Sequence, residues 1–254
     1  MNNELNLEAE QTFVTKAYES YHDDSSFNKE IRRCILKTFS PYLSKHMKAL
    51  ELGCSNGFLS SELAQLVGEL TIVDGSAKAI EDTRLRMNQQ RIENTLYKES
   101  LFENFVPLEK YDAIFAVYIL EHVLDTQIIL DLAKSCLKEN GIFCIVVPNA
   151  RALSRQLALK MGMYESLYHL TENDFNHGHR RVYDSLTLAK SITDSGFAII
   201  SKGGVILKPL ADFQLDNLLD KGFLTEKHID GMYDLGFEYP DLCGSLFAIS
   251  ILNK

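Results

Sequence analysis

Two hydrophobic textures alternate along the first 150 residues. Short runs rich in branched and aromatic side chains occupy 48–53, 69–75, 94–100, 111–117 and 141–149, and each reads as a strand. Between them, apolar residues recur every three or four positions. Leu59, Leu63, Leu66 and Val67 form one such stripe, Ala77, Ile80 and Leu85 a second, and Ile129, Leu132, Ala133, Cys136 and Leu137 a third. That spacing lays each set along one face of a helix. Gly141 is expected to end the third helix as a C-terminal cap. Strand alternating with helix predicts an α/β fold with a mostly parallel sheet covered on both faces. Such sheets bind ligands at the carboxyl ends of strands, where the strand order reverses.

The second half is less regular. Residues 151–183 read as a helix and a polar loop. Residues 184–197 read as a capped helix, started by Asp184 or Ser185 and stopped by Gly196. "AIISKGGVILKP" and "GSLFAISILNK" read as two last strands, which brings the sheet to seven. The acidic stretch between them, 210–240, has a helical pattern, and insertions at sheet ends commonly build lids or substrate walls.

Composition narrows the choices. The chain has 254 residues, 46% of them hydrophobic, enough for one elaborated α/β domain. A net charge of −9 without a basic stripe argues against nucleic acid as the partner. The five cysteines form no CxxC pair and no zinc spacing, so buried free thiols in a reducing compartment are expected. The acidic, polar N-terminus does not read as a signal peptide, and the longest apolar runs are too short to span a bilayer. A cytoplasmic protein, without membrane attachment, is the expectation.

The segment "ELGCSNG" joins the first strand to the first helix. Gly53 lets the backbone turn and approach a ligand, and the helix opening near Gly57 aims free N–H groups into that turn. Asp74 ends the second strand, 21 residues after Gly53, where an acidic side chain can take both hydroxyls of a ribose. Taken in order, "LELGCSNG", "TIVDGS", "YDAIFAVYILEHV" and "LKENGIFCIVVPN" resemble the motif set of class I S-adenosylmethionine-dependent methyltransferases over residues 45–150. "GHRRVYD…LTLAKSITDSGF" resembles the stretch before the sixth strand in small-molecule members. The family pattern has a glycine where Ser55 stands. The competing dinucleotide fold wants GxGxxG. Here Gly53, Ser55 and Gly57 are spaced two and two, and position 58 is Phe.

The resemblance implies a Rossmann-like, doubly wound seven-stranded sheet with a helical cap, in one domain spanning 1–254. Within it, 1–44 would be N-terminal cap helices, 45–150 the cofactor half, and 151–183 with 208–242 the substrate-side cap. It implies S-adenosyl-L-methionine as cofactor. Glu51, Gly53 and Gly57 would shape the methionine pocket, with Cys54 and Ser55 presenting backbone groups. Asp74 would bind the ribose, flanked by Gly75 or Ser76. Glu99, Ser100, Leu101 and Phe102 would cover the adenine. Tyr118 and Glu121 would face cofactor or substrate, with His122 beside them on the substrate side. Tyr18 and Tyr21, before a helix, would fold over the site. Each has a plainer reading: Glu51 tying down amides, Phe102 as core, His122 as a helix-start residue.

The richest chemical cluster is "YHLTENDFNHGHRRVYD". His177 and His179 are the candidate general bases, since imidazole accepts a proton near neutral pH. Arg180 and Arg181 are candidate clamps for a carboxylate or phosphate, and Tyr168 a substrate contact. The structural alternative is a His-Arg turn tied to Asp174 or Asp184. His177 and His179 share a face and could act as paired metal ligands, but a third ligand is not evident, and no metal is expected. The resulting expectation is methylation of a small, possibly anionic molecule, most simply at oxygen, by a monomer or homodimer. Nitrogen or carbon methylation, a cofactor-binding protein without turnover, and a nicotinamide oxidoreductase are the alternatives.

Overall fold

The computed structural model describes residues 6–20 and 24–253. Its frame is one seven-stranded sheet: β1 (Lys48–Leu52), β2 (Glu69–Asp74), β3 (Thr95–Glu99), β4 (Tyr111–Val117), β5 (Leu137–Pro148), β6 (Phe197–Gly204) and β7 (Ser245–Leu252). The order is β3-β2-β1-β4-β5-β7-β6, with β7 antiparallel to both neighbours and every other pair parallel. The strand order therefore reverses between β1 and β4, and a crevice opens beyond their carboxyl ends.

Alternation along the strands sorts side chains between two cores. On β5, Ile142, Cys144 and Val146 join one cluster with Phe27, Phe39 and Phe115. Phe143, Ile145 and Val147 join the other with Leu50, Leu52 and Phe197. The first face is covered by α2 (Ser26–Phe39), α3 (Phe58–Ala64), α4 (Ala77–Gln89) and α10 (Glu226–Glu238), and the second by α5 (Thr126–Cys136) and α8 (Ser185–Asp194). α9 (Asp212–Asp220) adds its buried Leu215 to the first core, and outside these lie α1 (Leu7–Ser20), α6 (Leu153–Lys160) and α7 (Glu172–Asn176). All five cysteines are buried and unbridged.

Two local expectations are corrected. Gly141 does not cap α5. The helix stops at Cys136, and Leu137 already pairs with Tyr111 as the start of β5. The apolar run simply continues as strand, with an irregular register between Tyr111 and Ala113. In α4 the buried stripe is Ala79, Ile80, Thr83 and Met87, while Leu85 stands exposed. The α8 boundaries match the expectation: Asp184 caps it by accepting from the Thr187 N–H at 2.7 Å, and Gly196 follows it with φ 88°.

Candidate active site

A cavity of about 980 Å³ occupies the crevice. One end is built by the loops after β1, β2 and β3. Gly53 turns with φ 77°, and a Cβ there would stand 2.2 Å from Ile119 Cδ1, so the bare backbone leaves room against the loop after β4. Ser55 adopts φ 47°, a region that costs a residue with a side chain. Its buried Oγ has no hydrogen-bond partner among the described residues, and neither has Glu51 Oε2. Burial pushes the Glu51 carboxyl up to about 8. Asp74 accepts the Cys54 N–H at 2.9 Å and the Ser76 N–H at 2.8 Å, which fixes its carboxylate with lone pairs still open to the cavity. Burial nevertheless raises its pKa.

Glu51, Cys54, Gly75, Leu101 and Phe102 line this end with them. The other predicted residues support it from outside. Gly57 is the left-handed N-cap of α3, and Ser76 N-caps α4 by accepting from Ala79 N–H at 3.3 Å. Ser100 spends its hydroxyl on the Leu101 carbonyl, so it does not reach the cavity.

Helix α1 roofs the cavity. Gln11 donates to the Gly75 carbonyl, and Tyr18 lines the space while donating its hydroxyl to Asp82 at 2.6 Å. Tyr21 lies outside the described residues.

The other end is built by the loop after β4 and by 151–183. Tyr118 has φ 57°, a strained value that turns the chain sharply out of β4, and its hydroxyl meets Ser245 Oγ at 2.7 Å. Glu121 is fully buried, with neither carboxylate oxygen hydrogen-bonded among the described residues. Burial lifts it to about 7. His122 packs edge-on against His179, with ring centroids 4.9 Å apart, and burial with that neighbour lowers it to about 3. His179 Nδ1 meets Asp174 Oδ1 at 2.9 Å, and the His177 ring lies 6.2 Å from that of His179. Burial alone would raise Asp174. The His179 and Thr171 bonds and the Arg155 charge together hold it below the usual carboxylate range.

The structure does not bring three predicted contacts to the cavity. Tyr168 is half exposed and bonds Asp184. Arg180 clamps Glu10 through two 3.0 Å bonds, and Arg181 donates to the carbonyls of Leu120, Val123 and Leu124. The arginines therefore tie the cap to α1 and to the loop after β4, and neither presents an open fork to a ligand. Sequence reasoning missed Arg155, which lines the cavity and pairs with Asp174 at 3.3 Å, and the apolar mouth of Met161, Met163, Tyr164 and Phe213. An arginine inside an otherwise ordinary helical pattern carries no signal of that role.

Comparison with known proteins agrees with this geometry. The family model described as "Methyltransferase domain" matches residues 25–202, and the chain belongs to that family. A ubiquinone biosynthesis O-methyltransferase of Bradyrhizobium diazoefficiens is 27% identical over 180 residues, 70% of each chain. The N-methyltransferase NodS from Bradyrhizobium japonicum, solved with S-adenosylhomocysteine, superposes with a TM-score of 0.60 at 14% identity, over 94% of this chain and 100% of that one. The [4+2]-cyclase SpnF superposes with a TM-score of 0.61 at 12% identity, over 92% and 84%. The fold alone thus does not set the reaction. The chain is an S-adenosylmethionine-dependent methyltransferase. The bare Gly53 cradle and the Glu51 and Ser55 oxygens, which have no hydrogen-bond partner among the described residues, fit that cofactor's methionine end. No helix among the described residues is long and apolar enough to cross a membrane.

Proposed function

We propose that this enzyme methylates a hydroxyl oxygen on a small molecule with an apolar body, and that 1–254 acts as a single cytoplasmic domain. The carrying observation is the placement of His177, His179, Glu121 and His122 at one end of the cavity whose other end is the Gly53–Asp74 loop system. S-adenosylmethionine supplies an electrophilic methyl on a sulfonium and leaves as a neutral thioether, so no acid is needed. What this chain must add is alignment, exclusion of water, and a place for the hydroxyl proton.

Glu51 and Ser55 would hold the methionine end and Asp74 the ribose, with Leu101 and Phe102 walling the adenine. Tyr118 and Ile119, which line the cavity, would form the wall between cofactor and acceptor. His177 and His179 would accept the proton. The bond to Asp174 orients the His179 ring and leaves its second nitrogen turned from the carboxylate. The apolar mouth, with Met161, Met163 and Phe213 well exposed, would seat the acceptor's body. The ubiquinone-pathway names of relatives support oxygen as the nucleophile. An anionic acceptor loses support, since Arg180 and Arg181 are engaged within the protein.

Turnover of a panel of phenols, catechols and amines, with products assigned by mass spectrometry, tests the reading. His177→Ala and His179→Ala should each lower kcat by about 10²-fold. Binding of S-adenosylhomocysteine should change less than about twofold by calorimetry. Exclusive N-methylation, or unchanged turnover in both variants, would refute it.

A further inference from the structure

Glu121, His122 and His179 each offer one ligand atom, and these atoms all lie within 4.8 Å of one another. We propose that they bind a divalent first-row cation such as Zn²⁺, facing the acceptor end of the cavity.

The partners of the two imidazoles fix where their protons sit. His122 Nδ1 lies 3.3 Å from the Gly178 carbonyl, which can only accept, so Nδ1 is the protonated nitrogen. His179 Nδ1 lies 2.9 Å from Asp174, a carboxylate, so the same holds there. In both neutral rings Nε2 then carries a lone pair. Glu121 adds two buried carboxylate oxygens that no donor among the described residues satisfies. With Nε2 as the ligand atom of each ring, three acceptors converge, and a buried acceptor is costly unless a cation or a proton stands there.

A cation explains more of the surroundings than a proton does. The Asp174–His179 bond is a carboxylate–histidine arrangement of the kind that orients metal ligands and raises their basicity. Asp174 is itself fixed by the Thr171 N–H at 2.9 Å and by Arg155 at 3.3 Å. Two imidazoles and one carboxylate suit Zn²⁺, Fe²⁺ or Co²⁺ better than the oxygen-seeking Mg²⁺ or Ca²⁺. Three protein ligands leave coordination positions open toward the cavity, where an acceptor oxygen would complete the shell. This deepens the hydroxyl-methylation reading. His179 becomes a ligand, and His177, outside the triad, takes the proton released by the coordinated hydroxyl.

Zn²⁺ titration of the chelator-stripped 254-residue chain against a chromophoric competitor tests the site without any acceptor. One Zn²⁺ per chain is expected, and Co²⁺ should give visible d–d bands. His179→Ala and Glu121→Gln should weaken Zn²⁺ at least about 10-fold, and Asp174→Asn about 10- to 100-fold. His228→Ala, on the exposed start of α10, should leave it unchanged. Circular dichroism and S-adenosylhomocysteine binding are followed in the same samples. Should Glu121→Gln fail to fold, His179→Ala, at a partly exposed position, carries the test. No stoichiometric binding, or binding indifferent to His179→Ala, overturns the proposal. Intact S-adenosylhomocysteine binding in that case leaves the methyltransferase reading standing.

Discussion

The buried carboxyl groups of the cofactor half and of the cap behave in opposite ways. In the cofactor half, burial raises Glu51 and Asp74, and what surrounds them does not compensate. In the cap, Asp174 is buried as well, yet it is held low by His179, Thr171 and Arg155, and so, at the start of α8 just beyond the cap, is Asp184 by Tyr168 and Thr187. A carboxyl that its own fold satisfies is scaffold. One that the fold leaves short of positive partners is waiting for a ligand. By this measure Glu121, raised and unpartnered, belongs with the cofactor half although it borders the cap. The cap's arginines, by contrast, are spent on holding the cap together.

The sharpest break of this contrast is pH. As pH rises past the ordinary glutamate value, the unfolded chain releases the Glu51 proton while the folded chain keeps it up to about 8. Stability from this group is therefore full at low pH and falls through that window. Glu51→Gln should remove the fall. Apo-protein urea midpoints should nearly coincide at pH 5, with the variant ahead by about 3 kcal/mol at pH 8. Parallel curves for the two proteins would reassign Glu51 to the satisfied class.

On the cap side, Arg180→Ala strands the buried Glu10 and should cost about 2 kcal/mol in thermal unfolding. The ranking of acceptors should not change. A selective rise in KM for anionic acceptors would instead restore a ligand role to this arginine. The smallest effect is in binding. Asp74→Ala should weaken S-adenosylhomocysteine at least ~10-fold by calorimetry, the scale of one lost set of charge-assisted bonds. Unchanged affinity would place Asp74 with the scaffold.

How far the chain could be read in advance follows the same division. The sheet, the Gly53 turn and Asp74 were legible because their partners are close in sequence. The Asp74 bonds to Cys54 and Ser76 span 20 and 2 residues, and the hydrophobic periods are local. Gly141 misled because one apolar run passes from helix to strand without a turn, and composition alone cannot mark that change. Arg180 was opaque for another reason: its partner Glu10 stands 170 residues away. The His179–His122–Glu121 convergence was hidden similarly, since "EHV" and "HGHRR" meet only after β4 and the cap are folded together. Tyr118 and Ser55 share a further limit: a positive φ at a residue with a side chain leaves no trace in composition.

Helix α1 lies across the cavity like a bolt. It is fastened to the cofactor loops through Gln11 and Gly75, to α4 through Tyr18 and Asp82, and to the cap through Glu10 and Arg180. A cofactor held at the Gly53–Asp74 end, as proposed above, would lie beneath these fastenings, and its exit would require them to release. Turnover would then follow the opening of that door rather than the methyl transfer itself.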